Sequence, residues 1–136
     1  MEILLIESDH LIRDQIKVGL QQFPEFTITC GEGYGGINLL RQRRYDLAFL
    51  GVRANSTEAR RTIEYLRSFE QSVDVVVVTA QKTARDLQGE KSRLNIWSFL
   101  STPVQVSEFF RLVSRIRERL HAPVAAAAGQ SLAPHR

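Results

Sequence analysis

Cysteine occurs once in this chain, at Cys30, so an internal disulfide is excluded and a reducing compartment is expected. No Cys–His pairing pattern accompanies it. Cys30 closes the apolar run Phe26-Thr27-Ile28-Thr29-Cys30, where a small buried packing residue is expected. Long hydrophobic runs are also missing, and none approaches the roughly 20 residues a membrane span needs. The apolar stretch Ile3 to Ile6 is too short for a signal peptide and no basic region precedes it. A cytoplasmic location without a membrane partner is therefore expected. His121 and His135 are too far apart, and too unsupported by other ligand types, to be read as metal ligands. No internal repeat is found.

What is present describes an ordinary globular chain. With 136 residues, 43% hydrophobic and 24% charged, it is long enough to bury a core without staples. The net charge of +3 is unevenly spread. Arg41, Arg43, Arg44, Arg53, Arg60, Arg61 and Arg67 stand against only Asp46, Glu58 and Glu64 in the same stretch. Arg111, Arg115, Arg117 and Arg119 form a second cluster. Such faces attract acidic proteins, anionic ligands or nucleic acid, and they also occur as plain solvated helix surface.

Periodicity alternates strand and helix. Apolar runs at Ile3–Ile6, Phe26–Cys30, Asp46–Leu50, Val73–Val78 and Ile96–Leu100 predict five strands, with the valine-rich fourth one central. A first helix carries Leu11, Ile12, Ile16, Leu20 and Phe23, capped by Ser8 or Asp9 and stopped before Pro24. A glycine-rich turn, Gly31 to Gly36, leads into a short helix with Ile37, Leu39 and Leu40. The third helix starts near Thr57 and holds Ile63, Leu66 and Phe69. The fourth, Gln81 to Leu94, is weakly apolar and interrupted by Gly89, so it should be the loosest element. The last carries Val106, Phe109, Phe110, Val113, Ile116 and Leu120 and ends near Pro123. This alternation predicts a flavodoxin-like, doubly wound α/β fold: a five-stranded parallel sheet of order 2-1-3-4-5 with helices on both faces. Residues 1–121 form the predicted domain, and the Ala/Pro-rich residues 122–136 a disordered tail or linker.

In such a sheet, ligands bind beyond the carboxyl ends of the strands. Glu7, Ser8 and Asp9 stand there after the first strand, Gly51 after the third, Thr79 after the fourth and Thr102 after the fifth. This set, with Arg13, Gly33 and Gly36, the runs Asp46-Leu47-Ala48-Phe49-Leu50 and Val76-Val77-Val78-Thr79-Ala80, and Phe99 four residues before Pro103, resembles the receiver domain of two-component response regulators. The resemblance covers residues 2–121 almost without gaps. It implies a pocket in which acidic residues hold Mg²⁺, an aspartate accepts a phosphoryl group, a lysine and a threonine steady it, and an aromatic residue repacks in response.

The chain matches only part of that pattern. Glu7, Thr79 and Phe99, the switch-like aromatic, match it. Ser8 replaces the second acidic ligand, with Asp9 beside it as a partial substitute; Gly51 replaces the phosphoacceptor; Thr102 replaces the lysine. Ala54-Asn55 stands where methionine-proline is usual. Glycine has no side chain to phosphorylate, and a pocket with fewer carboxylates no longer needs the lysine. The expectation is a degenerate receiver with no catalytic residue, no functional metal and no cofactor. In it Thr79 satisfies backbone groups at its strand end and Phe99 packs in the core.

Receiver domains act by presenting a surface, so the resemblance implies a protein partner or a self-dimer through the face of helix 4, strand 5 and helix 5. The candidate interface residues are Arg85, Lys91, Trp97, Arg111, Arg115 and Arg119. Trp97 is expected as an exposed anchor or a partly buried packing residue. The alternative is an anionic ligand or nucleic acid on the arginine-rich face 41–67, although no aromatic interleaving or helix-turn-helix pattern supports nucleic acid within this domain.

Overall fold

The computed structural model describes residues 1–53 and 55–121, so Ala54 and the tail or linker expected at 122–136 lie outside the described residues. Five strands pair in one parallel sheet: β1 (Glu2–Ile6), β2 (Thr27–Gly31), β3 (Leu47–Gly51), β4 (Asp74–Ala80) and β5 (Ile96–Thr102). Their order is β2-β1-β3-β4-β5, the flavodoxin-like order expected from the sequence. The helices between them are α1 (His10–Gln21), α2 (Gly33–Asn38), α3 (Ser56–Arg67) and α4 (Gln81–Leu87), followed by α5 (Val106–His121). The described chain falls into two compact units that divide between Gln105 and Val106, so α5 is treated by itself.

Burial on both faces explains the unbroken apolar strands. On one face Leu4, Ile6, Ala48, Leu50, Val75 and Val77 pack with Ile37 of α2, Ala59, Ile63 and Leu66 of α3, and Leu87 of α4. Strand residues of the opposite parity, Ile3, Leu5, Phe49, Val76 and Val78, are equally buried. Beside β1 and β2, α1 buries Ile16 and Leu20. Leu11 of α1 is instead exposed.

Several sequence expectations need correction. The glycine-rich segment is not a free turn, since Gly31 ends β2 and α2 already begins at Gly33. The reason is a close backbone approach: a Cβ on Gly31 would lie 2.9 Å from the Gly36 Cα. The fourth helix stops at Leu87 and tightens into a 3-10 turn over Gln88–Glu90, which contains Gly89. β4 and β5 run on to Ala80 and Thr102, so Thr79 lies within the ladder. Cys30 is half-buried, not buried, because β2 is an edge strand. In α5 the buried residues are Phe109, Leu112, Val113 and Ile116, while Val106 and Phe110 are exposed.

Candidate functional site

Parallel pairing of β1 with β3 brings the first site residues together. Ile6 is in register with Leu50, which sets Glu7 beside Gly51 at the carboxyl edge. Glu7 is only 1% exposed. Its Oε2 accepts the Asp9 backbone N–H at 3.0 Å, and its Oε1 accepts from Nη2 of Arg53. The carboxylate also fills the space above Gly51, where an added Cβ would collide with Oε1. Residue 51 must therefore lack a side chain for Glu7 to keep this arrangement.

Arg53 is a site residue that the sequence does not single out. It belongs to the arginine-rich stretch 41–67 and is exposed, and its guanidinium also reaches over the strand ends. Nη1 donates to the carbonyls of Val52 (3.1 Å) and Val78 (3.0 Å) while Nη2 holds Glu7. Its position two residues past the strand end was the available signal, hidden by the arginine-rich context. Thr79 completes the cluster: buried, its hydroxyl donates to the Val52 carbonyl at 2.9 Å. The Val52 N–H in turn donates to Val78, extending the β3–β4 ladder beyond Gly51. Burial pushes the Glu7 carboxyl above its ordinary range, while the Asp9 N–H and the Arg53 guanidinium pull against that shift.

The other sequence candidates lie elsewhere. Asp9 caps α1, its Oδ1 accepting from Leu11 N (3.0 Å) and Ile12 N (3.1 Å), so that oxygen serves the helix and not the pocket. Ser8 is exposed. Thr102 ends β5, two strands away from β3, and is half-buried. Phe99 is partly buried against the core, in register with Val77. Trp97 is half-buried at an irregularity where Val75 faces Ile96 and Val76 faces Ser98. Arg85 on α4 and Arg111, Arg115 and Arg119 on α5 are exposed, and Lys91 is half-buried.

The arginine-rich stretch is not one free cationic face. Arg41 lies 3.7 Å from the Phe69 ring centre, and Arg43 bonds Glu2. Arg60 pairs with Glu90 at 3.5 Å. Arg67 donates to four backbone carbonyls, those of Leu94, Glu70, Val73 and Asn95. With Arg53 at the strand ends, five of the seven arginines are engaged within the chain, three of them (Arg43, Arg53 and Arg60) with carboxylates.

The donor set does not fit Mg²⁺, a hard cation that needs several free oxygen ligands. Both Glu7 oxygens are engaged, position 51 offers no side chain, position 8 is serine, and a guanidinium already stands over the carboxylate. Among the described residues, no three His, Cys, Asp or Glu side chains gather in a way that could hold a metal ion. No described helix is long and apolar enough to cross a membrane.

No family model matches the chain. It is similar to the "Probable C4-dicarboxylate response regulator DctR" of Bacillus subtilis, 30% identical over 83 residues, which is 60% of this chain and 37% of that protein. It is also similar to the "Transcriptional regulatory protein QseB" of Haemophilus influenzae, 29% identical over 121 residues, covering 88% of this chain and 54% of that protein. The chain thus spans about a third to a half of the length of the curated relatives it matches. Among solved structures, the REC domain of AraT, a response regulator from Geobacillus stearothermophilus, superposes with a TM-score of 0.68 at 18% identity, covering 88% of this chain and 94% of that one. These relatives are response regulators and this structural neighbour is a receiver domain, and the chain has the receiver fold.

Proposed function

We propose that this chain is a degenerate receiver domain that acts by protein–protein interaction without being phosphorylated. It would serve as an adaptor or as the regulatory module of a two-component or transcription regulator. One observation carries the reading: the Glu7 carboxylate lies within the space that any side chain at position 51 would need. Aspartyl phosphorylation requires a carboxylate there, a metal to neutralise the phosphoryl oxygens and a free path for in-line attack. Here the position is bare, and Arg53 supplies a cation that pairs with Glu7. The module is regulatory and not enzymatic. Its partner is a protein or a second copy of itself. The candidate contact residues are Arg85 and Lys91, then Trp97, and separately Arg111, Arg115 and Arg119 on α5.

The test is to incubate the full chain with acetyl phosphate and Mg²⁺, then follow intact mass and the amide NMR spectrum. No phosphoryl adduct and unchanged Gly51, Val52 and Thr79 signals are expected. A stoichiometric adduct, or a concerted shift of those signals with the phosphodonor, overturns the proposal.

A further inference from the structure

Beside the Glu7–Arg53 pair, an open cleft of about 160 Å³ lies between the start of α2 and the first turns of α3. Its apolar lining comes from Ile6, Ile37, Leu50 and Val52, all buried. Tyr34, which also lines it, is 53% exposed, and its ring is held edge-on against Tyr65 at 4.9 Å. Tyr65 in turn packs edge-on against Phe69 at 5.5 Å and donates its hydroxyl to Asn38 at 2.6 Å. The exposed aromatic is therefore set in place by the fold before anything binds.

Size and charge restrict the occupant. Ligand sites for cofactors and nucleotides enclose roughly 300–1,000 Å³, so this cleft takes one side chain rather than a whole nucleotide. Two charged residues line it. Arg53 is committed to Glu7 and to two backbone carbonyls. The Glu58 carboxylate is exposed and has no ion pair or hydrogen bond among the described residues, since only the Glu58 backbone N–H and carbonyl are bonded. Its place in the first turn of α3 steadies that charge without neutralising it. The cleft thus combines an apolar lining, an aromatic ring and one uncompensated negative charge.

We infer that this cleft is a docking pocket for a lysine or arginine side chain presented by a partner protein. The aliphatic stem lies against the exposed Tyr34 ring, and the cationic head meets the Glu58 carboxylate. The inference rests on the protein-interaction reading only for what presents the side chain, and its test is independent of phosphorylation.

The full chain is titrated with N-acetyl-lysine methylamide and followed by amide NMR, with the norleucine analogue as neutral isostere and the glutamate analogue as anion. Saturable shifts confined to Gly33, Tyr34, Val52, Glu58 and Thr62 are expected with the lysine probe alone. Glu58→Gln, at an exposed position, should weaken them about two- to fivefold, and added salt should weaken them too. Tyr34→Leu, which keeps an apolar wall, should also lower affinity. Equal shifts with the norleucine or glutamate probe, an unchanged affinity in Glu58→Gln, or no saturable shift at millimolar lysine probe each overturn the inference.

Discussion

Glu7 is placed by two bonds and one vacancy: the Asp9 N–H, the Arg53 guanidinium and the bare Cα of Gly51. Alanine at position 51 forces the carboxylate out of that space, and a buried charge then loses partners it cannot replace from water. Gly51→Ala should destabilise the chain by about 1–3 kcal/mol in urea unfolding. The same change in a Glu7→Ala background should cost much less, because the obstacle is gone. Equal costs in both backgrounds would show that the two residues do not compete for one volume.

The pair also has a pH signature. Folding raises the Glu7 carboxyl above its unfolded value, so its protonated form favours the fold. That contribution is complete below the unfolded value and is lost as pH rises through the folded one. Wild type should therefore lose stability relative to Glu7→Gln across this window. Arg53→Met removes a cation that lowers the Glu7 value, so the midpoint should move further up, as read from the side-chain carboxyl carbon by NMR. A midpoint that stays or falls would mean that Arg53 does not set the charge state of Glu7.

At the scale of elements, Arg67 does more than its exposed neighbours. From the end of α3 its guanidinium reaches the carbonyls before β4 (Glu70 and Val73) and before β5 (Leu94 and Asn95) at 2.7–3.1 Å. Burial lowers its proton affinity, and the neighbouring Glu70 and Asp74 act against that. Lysine has one nitrogen and cannot fork to four acceptors. Arg67→Lys should lower stability by about 2–4 kcal/mol with an unchanged urea m-value. Arg93, bridging Glu64 and Glu90 on the surface, serves as the control. Its alanine variant should leave the urea midpoint within error, because exposed ion pairs contribute little.

Reading the elements from the sequence succeeded where side-chain period decides the outcome. The apolar runs of β1, β3 and β4 were legible because both faces of a parallel strand are buried. The start of α2 was not, because Gly33 to Gly36 carries no apolar period and is set by the approach of Gly36 to Gly31. The irregularity in β5 was equally hidden. Strict alternation separates Ile96 from Phe99, yet both pack on the same core face because β4 pairs with Ile96 and then with Ser98.

At the scale of the whole molecule, the sheet brings the ends of β1, β3 and β4 side by side, and this edge gathers Glu7, Gly51, Arg53 and Thr79. The curated relatives are about two to three times longer than the segment they share with this chain. The phosphodonor and lysine-probe experiments test this edge and the neighbouring cleft independently. Exposed arginines on α5 belong to the second compact unit.

The sequence by itself determined the strands, the helices between them, and the absence of a side chain at position 51, because burial period and residue type are local facts. Only the tertiary structure decided what fills that space. Arg53 and Glu7 are 46 residues apart, and no local pattern links them. The parallel alignment of β1 with β3 brings their side chains together, and the missing Cβ at Gly51 leaves the space in which they meet.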